Sequence, residues 1–102
     1  MENIVLITTE NQETALIVKD AILNQKLSAG VNIIPNITTF YWFDNKIQES
    51  AEYILLFRTT EVNSSKFKDT LLNINPEIEI SVMAVNQIND NYMQWILSTV
   101  SG

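Results

Sequence analysis

The stretch of sequence that decides the fold is residues 31–57, which read VNIIPNITTFYWF, then DNK, then IQESAEYILLF. The first arm is rich in β-branched and aromatic residues, which favour strands, and the second arm has an apolar centre at residues 53–57. The residues between them, Asp44 to Lys46, are typical of a turn in which Asn45 takes a positive φ. Because so short a link joins only antiparallel strands, the stretch predicts a long β-hairpin. Pro35 has no backbone N–H and predicts a bend, bulge or edge in the first arm.

One strand and one helix precede the hairpin. Ile4 to Thr8 is a short, β-branched apolar run that is typical of a strand. A helix from Asn11 to about Lys26 follows, because apolar residues recur there at spacings of three and four. We expect Thr9 to cap this helix, with Gln12 as its partner in a capping box.

After the turn, the pattern predicts a strand, a helix, a strand and a final helix. Ile47 to Arg58 is the returning strand of the hairpin. A second helix opens at Thr59–Thr60–Glu61 and ends before Asn75–Pro76, since the residue before a proline disfavours helix. Ile78 to Val85 is the fourth strand, and Asn89–Asp90 caps a short C-terminal helix.

The order β-α-β-β-α-β plus a terminal helix predicts an α+β fold. It fits a ferredoxin-like split βαβ unit, in which two helices cover one face of a four-stranded antiparallel sheet. A chain of 102 residues, 46% of them hydrophobic, suits a single domain spanning residues 1–102. The alternative is a doubly wound parallel sheet with helices on both faces, which the antiparallel hairpin disfavours.

The predicted strands are apolar on both faces, although the two helices would cover only one. The aromatic residues 40–43 place two rings on each face, and residues 53–57 and 82–85 are also apolar on both. Residues 31–43, fully extended, would reach about 43 Å, beyond a domain whose radius of gyration is near ~13 Å. A partner subunit is the simplest cover for such surface, and a closed ring removes its open edges.

The amino-acid composition excludes several classes of catalytic and metal-binding site. The chain has no Cys and no His, which excludes disulfides, thiol nucleophiles, Cys/His metal sites and His-based catalysis. Its net charge of −6 at pH 7 opposes binding to nucleic acids and anionic membranes, which depends on Lys and Arg. No apolar run approaches the roughly 18 residues of a membrane span, and the start lacks the basic residues of a signal peptide. We therefore expect a cytoplasmic protein.

Residues 26–47, KLSAGVNIIPNITTFYWFDNKI, resemble CutA, the divalent cation tolerance family, whose segment is K-L-A-A-C-V-N-I-x-P-x-x-x-S-x-Y-x-W-x-G-x-I. Weaker similarity at residues 58–60, 75–85 and 92–95 extends the resemblance over nearly the whole chain. It implies a ferredoxin-like subunit in a tight homotrimer with inter-subunit β-pairing. The residues expected at the trimer interface are Phe40, Tyr41, Trp42, Phe43, Tyr53 and Trp95.

Departures from the family pattern bear on metal binding. Gly30 stands where the family has Cys, and Asn75 where it has His. Further departures are Phe43 at the motif Trp, Asn45 at the motif Gly, Glu77 at a Tyr and Ile80–Ser81 at a Pro-Glu pair. The copper role proposed for the family leans on soft or borderline ligands, which this chain lacks. The resemblance therefore carries over the fold but not copper binding.

A candidate anion site lies at residues 58–60, where the returning strand is expected to meet the second helix. There Arg58, Thr59 and Thr60 could together hold a carboxylate or phosphate. The resemblance places them near a cleft between subunits, of the kind that holds nucleotides or small metabolites in PII signalling proteins. Other candidate lining residues are Tyr41, Phe43, Asn75 and Ser81. The competing interpretation is that Thr60 is only an N-cap, Arg58 a surface ion pair and the aromatic residues packing.

Glu77 and Glu79 are the only candidate metal ligands, and a divalent cation is the only candidate cofactor. Two residues apart on an extended segment, they face the same side. Because two carboxylates without a third ligand make a weak site, a solvated strand edge explains them better. The leading hypothesis is a non-enzymatic homotrimer for divalent cation tolerance, acting through small-ligand or cation binding in inter-subunit clefts. The alternative is a trimeric scaffold or PII-like signalling module with no metal role, and an enzyme is the weakest interpretation.

Overall fold

A computed structural model describes residues 2–60 and 63–100 of the chain. The elements in chain order are β1 (Glu2–Thr9), α1 (Gln12–Asn24), β2 (Gly30–Phe43), β3 (Lys46–Thr60), α2 (Ser64–Ile74), β4 (Ile80–Ala84) and α3 (Asp90–Thr99). The strands form one sheet in the order β2-β3-β1-β4, and every neighbouring pair is antiparallel. The predicted α+β fold with its C-terminal helix is confirmed, and the doubly wound alternative is wrong.

The β2–β3 hairpin is the longest feature of the molecule. Its strands pair from Gly30 opposite Arg58 to Phe43 opposite Lys46. The turn between them consists of Asp44 at φ 54° and Asn45, as predicted at a positive φ, at 58°. The molecule extends 45 × 27 × 22 Å, and its radius of gyration is 14.4 Å. Such elongation is what a hairpin longer than its own domain produces.

A bulge interrupts the first arm where proline was expected to disturb it. The β2–β3 register shifts between Ile34 and Ile37. The two residues between them are Pro35, which cannot donate to the ladder, and Asn36, whose φ of 59° lies in the left-handed region that asparagine tolerates. The predicted bend or bulge at Pro35 is confirmed.

The predicted starts of the first two helices were wrong in detail. The N-cap of α1 is Asn11, whose Oδ1 accepts the Thr14 backbone N–H at 2.8 Å. Thr9, the expected cap, is the last residue of β1 and donates its hydroxyl to the Asn11 carbonyl at 3.2 Å. Pairing with β1 likewise extends β3 to Thr60 opposite Glu2, so α2 begins only at Ser64. Glu61, also placed in that helix start, lies outside the described residues.

The main hydrophobic core lies between one face of the sheet and the helices α1 and α2. The central strands supply its middle, and Phe57 of β3 meets Phe67 of α2 edge to face, with ring centroids 5.2 Å apart. The buried residues of this cluster are Val5, Ile7, Ala15, Val18, Ile22, Leu27, Leu55, Phe57, Phe67 and Leu71. Tyr53, expected at an interface, packs half-buried against this cluster.

Helix α3 lies on the second face of the sheet. The indole of Trp95 covers Gly30, with Cη2 3.4 Å from the position a Cβ would take. Arg58, the register partner of Gly30, lies 6.0 Å from the centre of the Tyr92 ring. Because Phe57 belongs to the core face, its neighbour Arg58 belongs to the other. α3 therefore covers this face at the Arg58 end of β3, away from the hairpin tip.

The hairpin tip is left apolar and uncovered by the rest of the chain. Phe40 is 66% exposed, Trp42 73% and Phe43 68%, and Tyr41 and Ile47 are exposed as well. Isolated exposed apolar residues are ordinary, but contiguous aromatic surface of this kind marks an interaction site. No helix of the described residues is long and apolar enough to cross a lipid bilayer.

Candidate functional site

Four carboxylates line a recess at the end of the central strand β1. We call this the acidic recess and define it by Glu10, Glu52, Glu77 and Glu79. Its volume is about 290 Å³. The remaining lining residues are Thr8, Thr9, Asn11, Thr14, Asn75 and Ile78, so no basic side chain of the described part of the chain lines it. Carboxylate and hydroxyl oxygens surround it, which are ligands for hard cations such as Mg²⁺ and Ca²⁺.

Strand register explains why three of these carboxylates meet. Thr9, the last residue of β1, pairs with Tyr53, and this pair places Glu10, the next residue, at the same end of the sheet as Glu52. Ile7 pairs with Ile80 on the other side of β1, which places Glu79 immediately before β4 and beside the end of β1. Central and flanking strands thus carry the carboxylates to one end of the sheet.

The segment between α2 and β4 is held by an asparagine. The side-chain Oδ1 of Asn75 accepts the backbone N–H of Glu77 at 3.0 Å, which closes a local turn. Glu77 and Glu79 are both exposed, as a solvated strand edge would also have them. No group of three or more Asp or Glu side chains in residues 2–60 and 63–100 is arranged closely enough to hold a metal ion directly.

A second recess, of about 370 Å³, continues from the acidic recess along the hairpin. It shares Glu10, Glu52 and Glu79 with the acidic recess and adds Tyr41. Thr39, Trp42 and Ser50 complete its lining. Of the residues predicted from sequence, the structure therefore brings Tyr41, Asn75, Glu77 and Glu79 to one end of the sheet.

The three residues of the predicted anion site lie elsewhere. Arg58 donates from Nη1 to Asn32 Oδ1. Thr59 is buried and donates its hydroxyl to the Leu27 carbonyl at 2.5 Å, and Thr60 is buried as well. Arg58 follows Glu52 by six positions along β3, which corresponds to about 20 Å of extended chain. Within one chain, the two groups of predicted residues do not meet.

Two further predicted residues stand apart from both recesses. Phe43 lies at the hairpin tip, opposite Lys46. Ser81 lies exposed on β4, opposite Leu6 of β1.

Three acidic residues escaped sequence reasoning. In the sequence, Glu10 suggests a residue that interacts with a helix dipole, and Glu52 is one polar residue in a strand. Only the β1–β3 register brings the two into the same recess. Glu2 is buried opposite Thr60, beside Tyr92 and the loop that precedes α3. Burial raises the pKa of the Glu2 carboxyl above its usual value of 4.5, although the positive charge of Arg58 acts in the opposite direction.

Comparison with known proteins identifies the family. Residues 3–99 match the family described as CutA1 divalent ion tolerance protein. The divalent-cation tolerance protein CutA of Thermus thermophilus is 32% identical over 98 residues, which cover 94% of this chain and 95% of that protein. Human protein CutA is 30% identical over 92 residues, but these span only 51% of its length.

Solved structures agree with the sequence comparison. The Cut A1 structure from Thermus thermophilus matches with a TM-score of 0.92 at 30% identity. The match covers 99% of this chain and 100% of the Thermus chain. CutA1 from Oryza sativa matches with a TM-score of 0.92 at 25% identity, over 98% of this chain and 94% of the Oryza chain. The match over nearly the whole chain, together with the shared fold, shows that this chain belongs to the CutA1 divalent ion tolerance family.

Proposed function

We propose that this protein is a non-enzymatic, cytoplasmic homotrimer that contributes to divalent cation tolerance by attracting hard divalent cations to the acidic recess. The observation that carries the proposal is the convergence of Glu10, Glu52, Glu77 and Glu79 with no basic residue in the lining. Family membership and the name of the Thermus relative, a divalent-cation tolerance protein, support the connection to divalent cations.

The donor set selects the kind of cation. The chain has no thiolate and no imidazole, and so lacks the ligands that favour copper and zinc. Oxygen ligands suit Mg²⁺, Ca²⁺ and Mn²⁺. Because the carboxylates do not form a closed cage, we propose that cations are held loosely, with water completing their coordination. The net charge of −6 on each chain adds a field that draws cations to the surface.

The homotrimer is proposed from the uncovered apolar surface. The hairpin tip carries the aromatic residues 40–43, most of which are more than half exposed, and β2 and β4 are edge strands with free ladder positions on one side. Edges of this kind pair with other chains unless they are protected. A closed ring of identical subunits would bury the tip and pair the edges without forming filaments.

A small anionic ligand is the second part of the proposal. The guanidinium of Arg58 lies on the second face of the sheet, beside Tyr92 and Asn32. In a trimer, a neighbouring subunit could bring its Tyr41 and Asn75 to this end, so that the residues separated within one chain form one cleft. Arg58 would then bind the carboxylate or phosphate of a ligand.

Calorimetric titration with Mg²⁺, Ca²⁺ and Mn²⁺ tests the cation proposal. We expect weak, saturable binding that the double variant Glu77→Gln/Glu79→Gln reduces severalfold. The matched control is Glu49→Gln/Asp69→Asn, which removes the same charge outside the recess and should leave the affinity within about twofold. An equal loss in both variants would reject the recess as the site.

Thermal shift against dicarboxylates and nucleotides tests the anion proposal. A ligand that raises the melting temperature of the wild type but not of Arg58→Ala supports a cleft at Arg58. If neither cations nor anions bind while the protein remains a trimer, the scaffold or PII-like module without a metal role becomes the better function.

A further inference from the structure

A recess on the core-face side of the sheet, away from every residue discussed as a functional site, has a mixed apolar and basic lining. It lies between α2 and the strands β1 and β4, and its volume is about 390 Å³. This volume falls at the lower end of the range of small-molecule pockets, about 300–1,000 Å³. It arises because β4 is an edge strand beyond the main core, with only the flank of α2 beside it.

The inner wall of this recess is apolar. Val5 and Phe67 contribute from the core and are 1% exposed. Ile80 and Val82 of β4 lie beside them, and Val82 is 52% exposed. Val82 pairs with Val5 in the β1–β4 ladder, so both side chains point to the same face of the sheet. A ligand in the recess would remove apolar surface of Ile80 and Val82 from water.

The rim carries a positive charge. Lys68 and Ser65, three residues apart on α2, share one flank of the helix and line the recess. Within residues 2–60 and 63–100, Lys68 takes part in no ion pair. Among the residues that the structure describes, no acidic side chain lines this recess, although the chain as a whole carries a net charge of −6. A cation beside an apolar wall in an otherwise acidic protein is complementary to a ligand with an apolar body and one negative charge.

We propose that this recess binds a small apolar carboxylate. Its hydrocarbon part lies against Val5, Phe67, Ile80 and Val82, and its carboxylate accepts hydrogen bonds from the Lys68 ammonium and the Ser65 hydroxyl. The proposal is independent of cation binding in the acidic recess, because the two recesses share no residue.

Titration of ¹⁵N-labelled protein with sodium octanoate, followed by amide chemical shifts, tests the proposal. We expect saturable shifts centred on residues 65–68 and 80–82, with a Kd on the order of 1 mM for a ligand of this size. Octylammonium has the same chain with the opposite charge and should bind at least about tenfold more weakly.

Two lysine variants separate a specific contact from general charge. Lys68→Gln should weaken octanoate binding about threefold to tenfold, because it removes one charge-assisted hydrogen bond. Lys66→Gln removes the same charge from the same helix outside the recess and should change the Kd by less than about twofold. Val82→Asp places a carboxylate on the apolar wall and should abolish saturable binding.

Four results would overturn the proposal. They are the absence of saturable shifts, shifts centred on the aromatic residues 40–43 of the hairpin tip, equal losses in Lys66→Gln and Lys68→Gln, and equal affinity for octylammonium. None of these results bears on the acidic recess, whose own test is the titration with divalent cations.

Discussion

Replacement of Trp42 by alanine should weaken the proposed trimer while leaving the fold of each subunit intact. Trp42 lies near the hairpin tip, opposite Ile47, and exposes 73% of its surface in the single chain. A side chain that contacts so little of its own chain contributes little to the stability of that chain. Its bulk and hydrophobicity instead favour a role in contact with another copy.

The size of the effect follows from the exposed area. For a side chain of about 250 Å², the 73% that Trp42 exposes is about 180 Å². Complete burial of this area at about 25 cal/mol per Å² would stabilise the contact by about 4.5 kcal/mol per copy. Alanine at this position would still bury a small apolar area, and its contribution is subtracted from that of Trp42. The free energy of trimer association would then fall by about 10 kcal/mol over the three copies, which lowers the association constant by about 10⁷.

Sedimentation over a dilution series would measure this loss, with circular dichroism of the dissociated variant to confirm that it is folded. Leu16→Ala is the matched control, because Leu16 is 41% exposed on α1 and outside the predicted interface. We expect dissociation of Trp42→Ala at concentrations where Leu16→Ala and the wild type remain trimeric. If Trp42→Ala associated as strongly as the wild type, the hairpin tip would not be buried between subunits. If Trp42→Ala were unfolded, Trp42 would be needed for the fold of the single subunit, contrary to our expectation.

Three further predictions concern the stability of the subunit, each measured by urea unfolding. Glu2→Gln should stabilise the protein at pH 7. Burial raises the pKa of Glu2 in the folded state, so the wild type loses stability as the pH rises from 4.5 through that pKa. If Glu2→Gln were equally more stable than the wild type at pH 4 and at pH 7, ionisation of the buried carboxyl would not be the cause. Asn11→Ala removes the side-chain cap on the Thr14 N–H and should cost about 1 kcal/mol, whereas Gln12→Ala, at the exposed residue expected to complete a capping box, should change stability by less than about 0.5 kcal/mol. Thr59→Val removes the donor to the buried Leu27 carbonyl and should cost about 1–3 kcal/mol; an unchanged midpoint would show that this hydrogen bond contributes nothing.

The fold could be predicted because its decisive features are local. The short link after Phe43 forces an antiparallel return, Asn45 tolerates the positive φ of the turn, and Pro35 interrupts the ladder where it stands. Helix starts were predicted less well, because several residues in succession could serve as caps. Thr9 was displaced by Asn11 since pairing with Tyr53 keeps Thr9 in the strand. Local propensity does not encode such long-range pairing.

The candidate site was harder to predict for the same reason. Glu77 and Glu79 were found because they are close in sequence. Glu10 and Glu52 are 42 positions apart and meet only through the β1–β3 register, which no turn fixes. Arg58 and Asn75 were grouped through resemblance to the family, whereas one chain keeps them at different ends of the sheet.

The central claim is that the uncovered aromatic hairpin is an interface between copies of this chain. Light scattering coupled to size-exclusion chromatography of the wild-type protein at micromolar concentration tests it most directly. We expect a single species with three times the 11.6 kDa mass of the chain. A folded monomer as the main species would contradict it.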